Sequence, residues 1–233
     1  MGRVISAAVS LLLVAVLTSC GTSPDRDAVP SPLGSRLPLW PFASVDDATR
    51  WARDTEARAS AAWHTDPAQT ALRFTQVYLG FTGIDRATEV VADDDEATVS
   101  VGYALPNGRT ATAAAVHLVR LGADADAPWE VVGTDDALLT VDAPAYGTTV
   151  GPVIDVGGSI TGVDECIHLQ VHQLATPSLV GEFSCRMAGG HPGRWAARVD
   201  APAARSGVLT VVAWTGGAVA DVQRFAVTAV RTP

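Results

Sequence analysis

A predominantly apolar run opens the chain, where Val4 to Leu17 follows Arg3 and contains no charged side chain. Its length is typical of a secretory signal peptide and is short for a helix that spans a bilayer, which takes about 20 apolar residues. The residues after it are polar and rich in proline up to position 37. That composition predicts a flexible spacer over residues 20–37 and a folded region that begins at residue 38.

Two helices are predicted directly after the spacer. Ser44, with Asp47 three residues later, is typical of a helix N-terminus, and this helix would extend to about Ala59. A second helix should start at Asp66-Pro67, because aspartate caps a helix and proline fits its first turn. Its apolar residues follow helical spacing until Gly80, which ends the helix.

Polar and apolar residues then alternate in a way that predicts three antiparallel strands, over residues 97–105, 111–121 and 129–133. Between the first two lies a hairpin-turn sequence, in which we expect Asn107 and Gly108 to adopt positive φ angles. We interpret the acidic run 93–96 as a solvated turn, because it lacks the ligand spacing of a calcium-binding EF-hand. Residues 38–137 are therefore predicted to form a small α+β domain, with two helices packed on a small antiparallel sheet.

From residue 138 the helical spacing disappears, and short apolar segments alternate with turns rich in Gly, Pro, Asp and Thr. The predicted strands cover residues 139–141, 153–160, 165–173, 180–187, 194–199, 207–214 and 221–230. Such a series of short strands with regular turn signals is typical of an all-β sandwich with immunoglobulin-like architecture. We expect residues 138–233 to form this second domain.

The end of the first apolar run, Leu17-Thr18-Ser19-Cys20, resembles the lipobox of bacterial lipoproteins. The resemblance implies that a signal peptide of residues 1–19 is removed and that Cys20 carries lipid with palmitate-type acyl chains. It also implies an extracytoplasmic protein anchored to the outer face of the cell membrane, and stable attachment takes more than one acyl chain. Two alternatives are a secretory signal with an unrelated cysteine and a retained membrane anchor.

The C-terminal region resembles a known domain. The residues concerned lie, in order, at Asp142–Val150, Val153–Gly158, Gly193–Val199, Gly207–Trp214 and Gly217–Val230. This succession is similar to the immunoglobulin-like domain associated with bacterial spore germination, which also occurs in actinobacterial lipoproteins. The resemblance covers residues 142–231 and implies a binding or spacing module without catalytic residues. The chain departs from it at Gly162–Cys166, where the family carries an aromatic and acidic segment.

Composition excludes two kinds of partner. The formal net charge is −9, and all 16 basic residues are arginine, so neither the basic surface of a nucleic-acid-binding protein nor a polybasic membrane patch is expected. With 48% hydrophobic and 18% charged residues, the chain has the composition of a folded protein. The absence of lysine resembles the usage of a high-GC genome, such as that of an actinobacterium.

The three cysteines divide into one and two. With Cys20 assigned to the lipid, Cys166 and Cys185 remain as an even pair in a compartment where thiols are commonly oxidised. We favour a structural disulfide between them. Two separate buried thiols are one alternative, and a redox pair is another, although redox pairs usually have CxxC spacing.

Aromatic residues are concentrated in the predicted helical region. We favour the interpretation that they form its core, because aromatic side chains bury large areas. The functional interpretation is a cleft between helices and sheet that takes a small apolar or glycan ligand. The candidate cleft residues are Trp51, Trp63, Phe74, Tyr78 and Phe81.

The histidines do not indicate a metal site. His168 and His172 share one face of a predicted strand, but four residues along a strand span about 13 Å, which is too far for one metal ion. His64 and His117 are isolated in the sequence, and His191 lies in a glycine-rich turn. We therefore predict neither a metal nor a cofactor.

The chain contains no GxSxG, HExxH, P-loop or GxGxxG motif. From the sequence we expect a lipid-anchored, non-catalytic cell-envelope protein that serves protein interaction or spacing, with an envelope protein as its partner. The alternative is a carrier or accessory protein that binds a small envelope ligand within residues 38–137. A cell-wall hydrolase is the weakest hypothesis, because no acid–base pair can be nominated.

Overall fold

A computed structural model describes residues 31–135, 138–162, 164–217 and 219–233. Cys20 and the predicted signal peptide lie outside the described residues. Residues 31–233 form one compact unit, and Leu33 and Leu37, which the sequence analysis assigned to the spacer, are buried in it. Within the described part of the chain, no helix is long and apolar enough to cross a membrane.

The described chain is mostly β, with antiparallel sheets and short helices. The helical segments are α1 (Val45–Arg53), α2 (Thr55–Ser60), a 3₁₀ turn (Ala62–Thr65), α3 (Pro67–Arg73) and a π-helical turn (Phe74–Tyr78). The strands are β1 (Arg86–Ala92), β2 (Glu96–Ala104), β3 (Thr110–Arg120), β4 (Trp129–Thr134), β5 (Val153–Ile160), β6 (Cys166–Gln173), β7 (Thr176–Met187), β8 (Gly193–Asp200), β9 (Gly207–Thr215) and β10 (Arg224–Thr232).

The first predicted helix is two helices. Ser44 caps α1 as predicted, because its Oγ accepts a hydrogen bond from the backbone N–H of Asp47 at 3.1 Å. The chain then becomes extended at Asp54, whose carboxylate accepts from the amides of Glu56 and Ala57, each at 3.0 Å, and starts α2. The prediction of one continuous helix to Ala59 was wrong, because Asp54 is an N-cap residue inside the predicted helix.

The second predicted helix begins where expected, with Asp66 as N-cap and Pro67 in the first turn. It widens into a π-turn after Arg73, where the N–H of Leu79 donates to the carbonyl of Phe74 at 2.9 Å. Gly80 ends it with a φ of 79°, which favours glycine. Tyr78, the last residue of this turn, contacts Thr210 of β9.

The first sheet has four strands in the order β1-β2-β3-β4, one more than predicted. β1 was missed because six of its seven residues are exposed, so that it lacks the alternation that marks a half-buried strand. The β2–β3 turn also differs from the prediction. In this turn only Gly108 has a positive φ, at 80°. Among the described residues, every residue with a positive φ is a glycine. Asn107 therefore needs no left-handed conformation, as in a three-residue hairpin loop.

The C-terminal strands form two sheets, one ordered β10-β9-β6-β7 and the other pairing β5 with β8. β5 has the bounds predicted from the sequence. The segment before β5 covers two edges: Thr149 pairs with Arg231 of β10, and Ala143 with Gly157 of β5. Cys166 and Cys185 form a disulfide that joins β6 and β7 within one sheet.

Both faces of the β10-β9-β6 sheet are buried. On one face, Val211 of β9 packs in a core with Ile154 and Val156 of β5. On the other face, Val212 of β9 packs in a second core with Phe74 and strands of the first sheet. Strands buried on both faces need near-continuous apolar sequence, which β9 and β10 have. The first sheet and the C-terminal strands therefore share this second core.

Candidate functional site

Three of the five predicted cleft residues, Trp51, Trp63 and Tyr78, lie in a line of contacting rings that we call the aromatic seam. In order, it consists of Trp51, His64, Trp63, Trp40, Tyr78 and His172. The indole of Trp51 stacks on His64 with ring centroids 4.7 Å apart, and His64 contacts Trp63 at 3.7 Å. Trp63 stacks on Trp40 with ring centroids 5.1 Å apart. The ring of Tyr78 lies 6.4 Å from that of Trp40 and 5.1 Å from that of His172.

Two predicted cleft residues lie off this line. Phe74 is fully buried behind it, 6.3 Å from Trp40 and 5.6 Å from Tyr78. Phe81 packs elsewhere, against Trp214 and Phe225. The structure thus brings together four of the five candidates, and the rings occupy the space between helices and sheets by packing on one another.

Two of the predicted cleft residues, Trp51 and Phe81, each line a cavity. Trp51 lines one of about 390 Å³ among the short helices. Phe81 lines another of about 340 Å³ beside the β9–β10 turn. Trp63 is less accessible to a stacking ligand, because the guanidinium of Arg73 lies 5.0 Å from its ring centroid and Trp40 stacks on it as well.

Sequence reasoning missed His64 and His172 as members of the seam, and it did not include Trp40 among the candidate cleft residues. Trp40 is placed there by pairing with Val131 of β4, in a segment that extends the first sheet. Burial lowers the pKa of both His64 and His172 to about 4, so both imidazoles are neutral at pH 7. Neutral imidazoles pack as flat rings, and no local signal in the sequence relates these two histidines to the tryptophans.

Glu130 on β4 is fully buried beside the segment that carries Trp40. Its Oε2 accepts a hydrogen bond from the backbone N–H of Phe42 at 2.9 Å, while Oε1 has no partner among the described residues. Burial raises the pKa of this carboxyl well above its usual range, against the opposing effect of nearby backbone amides. The protonated form is therefore favoured, and the carboxyl fastens residues 39–42 to β4.

His168 and His172, which the sequence analysis placed on one face of a strand, have different ring partners. His168 stacks on Trp214 with ring centroids 4.1 Å apart, whereas His172 contacts Tyr78. His191 is exposed. In the described ranges, no group of three or more His, Cys, Asp or Glu side chains is arranged to hold a metal ion.

A polar basin, formed by Arg36, Glu96, His117 and Asp135, lies against the first sheet. His117 Nε2 is 3.1 Å from Glu96 Oε2, and its Nδ1 is 3.6 Å from Asp135 Oδ2. Arg36 Nη2 is 2.6 Å from Glu96 Oε1. The pKa of Glu96 is lowered, mainly by the hydrogen bond between Glu96 and His117. The cross-strand pairing that gathers these groups is not visible in the sequence.

The basin borders a cavity of about 250 Å³ that Tyr146 also lines. The Tyr146 hydroxyl accepts from the N–H of Leu37 at 2.8 Å and donates to the carbonyl of Val132 at 3.0 Å. Arg36 and Leu37 belong to the segment that enters the folded body. The charges and hydrogen bonds of the basin therefore attach that segment to the first sheet.

The edge of the first sheet at β1 exposes apolar side chains. Val90 is 46% exposed and Val91 is 62% exposed. Among the described residues no strand pairs with the outer side of β1. Three exposed aspartates, Asp93 to Asp95, follow at the end of the strand. The edge thus combines unpaired backbone, apolar side chains and negative charge.

Comparison with known proteins finds no match: neither a family model, nor a curated protein, nor a solved structure is similar to this chain.

Proposed function

We propose that this chain is a lipid-anchored, non-catalytic protein of the cell envelope whose folded body binds a protein partner through the β1 edge. In this proposal, the lipid on Cys20 holds the protein at the outer face of the membrane. The spacer then separates the folded body from the bilayer. The observation that carries the interaction role is the exposed apolar edge strand at Val90 and Val91.

The strand order supports the immunoglobulin-like assignment of residues 138–233. Sheet β10-β9-β6-β7 faces the β5-β8 pair, which matches strands G, F, C and C′ opposite B and E of such a sandwich. The disulfide departs from the usual inter-sheet position, because it joins β6 to β7. The contacts of α3 with all four strands of the first sheet support an α+β arrangement in residues 38–137.

The hydrogen-bond pattern of β1 identifies the groups that a partner would meet. The N–H of Asp93 donates to the carbonyl of Glu96 at 2.9 Å. Bonded and non-bonded pairs alternate along an antiparallel ladder, so Val91 pairs inward with Thr98 while Val90 and Ala92 turn their backbone groups outward. An extended peptide can add to such an edge as a further strand.

Other exposed edges carry features that discourage strand addition. β7 starts with Thr176-Pro177, and its pairing with β6 shifts register twice. β8 presents the charged side chains of Arg194 and Arg198. Proline, irregular register and charge are known protections of sheet edges. The stretch of β1 from Glu89 to Ala92 has regular pairing and two exposed valines.

The chemistry of the edge indicates the kind of partner. Val90 and Val91 lie on opposite faces of the strand, so β-branched or other apolar residues on the added segment would extend both faces. The acidic turn at Asp93–Asp95 favours lysine or arginine at the neighbouring end of that segment. We therefore propose an extended segment of an envelope protein with basic and β-branched residues.

Site-specific photo-crosslinking in native membranes tests this proposal. A photoreactive amino acid at Val91 should crosslink to the partner, whereas the same amino acid at Val77, which is 68% exposed on the π-turn, should not. Val90→Pro removes an outward N–H without breaking the bonds between β1 and β2, so it should abolish the crosslink while the folded body stays intact. A crosslink that survives Val90→Pro, or that forms equally from Val77, would contradict binding at this edge.

A further inference from the structure

The cavity beside Trp51 has the walls of a ligand site. It lies among α1, α2 and the 3₁₀ turn, and its volume of about 390 Å³ is in the range of small-molecule sites. Its lining residues are Trp51, Thr55, Arg58, Ala59, Ala62, Thr65 and Asp126. We propose that this cavity binds a neutral saccharide, with the indole of Trp51 as its stacking wall.

Trp51 is held in a fixed position for this role. Its indole stacks on His64 with ring centroids 4.7 Å apart and planes inclined by 15°. Phe42 supports it from another side at 6.0 Å. It thus combines ring support with a place on the wall of the cavity. A pre-positioned aromatic surface loses little conformational entropy when a ligand binds to it.

The charged part of the lining, Arg58 and Asp126, carries no net charge. Arg58 of α2 forms an ion pair with Asp126 of the loop between β3 and β4. A guanidinium has five N–H donors, and the pair with Asp126 uses one of its nitrogens, so donors remain for a ligand hydroxyl. The paired charges offer donors and acceptors together, which suits hydroxyl groups better than an anion or a cation.

Hydroxyl groups and small side chains complete the cavity. Thr65 Oγ1 donates to the carbonyl of Ala62 at 2.9 Å and keeps its acceptor lone pairs. Thr55 adds a second hydroxyl, while Ala59 and Ala62 leave room above the helices. A purely apolar ligand would leave these polar groups without partners, which costs free energy. A sugar satisfies both walls, because its C–H face packs on an indole while its hydroxyls bond to the polar groups.

The proposal is independent of the β1 edge, because the cavity uses different elements. Saturation-transfer NMR and isothermal titration of the full-length protein with three neutral disaccharides, cellobiose, lactose and chitobiose, test it. At least one of them should bind with a dissociation constant in the millimolar range or below. Trp51→Ala should weaken this binding about tenfold or more, the size expected for a central aromatic contact.

Two further variants keep the test decisive if Trp51→Ala is unstable. Ala59→Leu fills the cavity with a good helix former and should abolish binding while Trp51 is retained. Arg58→Ala should weaken binding several-fold. Arg194→Ala on β8, which breaks an exposed ion pair with Asp142, should leave binding unchanged. Absence of binding by all three disaccharides, or binding that persists in Ala59→Leu, would overturn the proposal.

Discussion

The hydroxyl of Tyr78 lies 3.2 Å from Oγ1 of Thr210, although 132 residues separate the two in the chain. This contact joins the π-turn after α3 to β9 in the middle of the C-terminal sheet. Around it, the ring of Tyr78 packs between Trp40 and His172. The contact therefore fastens the helical segment to the face of the sheet that packs against Phe74 and the first sheet.

A double-mutant cycle should measure this contact. Tyr78→Phe and Thr210→Val each remove one hydroxyl with little change of shape, and the coupling energy between them should be about 1 kcal/mol, as for one buried hydrogen bond. Urea unfolding of the four proteins gives the free energies. Strictly additive losses would show that the two hydroxyls do not interact.

Glu130 should make the protein less stable as the pH rises. Its pKa is raised in the folded state by burial. Both states are therefore protonated below the ordinary glutamate pKa, whereas above it the unfolded state ionises first, and the free energy of unfolding falls until the folded pKa is passed. Glu130→Gln should remove this decline, so its stability relative to the wild type should increase from pH 5 to pH 8.

Glu89→Gln on the exposed β1 strand serves as the control, because it removes a carboxyl that is not buried. Urea titrations of both variants at several pH values provide the comparison. If Glu130→Gln follows the same pH profile as the wild type, the buried carboxyl does not have a raised pKa.

His172, one of the two buried histidines of the seam, should lower the free energy of unfolding as the pH falls, which is opposite to the effect of Glu130. The pKa of His172 is lowered by burial to about 4, below that of the unfolded chain. Its contribution to stability is thus complete above pH 6.5 and is lost as the pH falls toward 4. His172→Phe should keep the ring contact with Tyr78 and reduce this acid destabilisation, whereas His191→Asn, at an exposed position, should not. Equal acid profiles for all three proteins would refute the prediction.

The disulfide should contribute directly to stability. Cys166 and Cys185 are 19 residues apart in sequence, and closing a loop of this size stabilises by about 3 kcal/mol in the chain-entropy model. Replacement of both cysteines by serine should lower the thermal midpoint, measured by circular dichroism. A reductant should lower it in the wild type and have no effect on the double variant. An unchanged midpoint in the double variant would argue against a stabilising role.

Membrane attachment should depend on a single thiol. In the proposed function Cys20 carries the lipid, so Cys20→Ala should move the protein from the membrane fraction to the soluble extracytoplasmic fraction. Fractionation and detergent phase separation measure the change. A variant that stays in the membrane would favour a retained apolar anchor over a lipid.

The candidate site shows where sequence reasoning reached its limit. The sequence showed that aromatic residues are concentrated in the helical region, but no local pattern could show that the rings of His64 and His172 lie in line with them. The polar basin was also missed, since its four members come from separate segments. Arg58 and Asp126 form one wall of the Trp51 cavity only because a loop of the sheet returns to α2.

The sequence by itself determined the local elements: the caps at Ser44 and Asp66, the bounds of β5 and the positions of most C-terminal strands. These depend on hydrogen bonds and side-chain periodicity within a few residues, so a local pattern contains them. Only the tertiary structure decided that both faces of the β10-β9-β6 sheet are covered, that β1 forms an exposed edge and that Trp51 borders a cavity. Those features depend on packing between residues far apart in the chain, which no local pattern records.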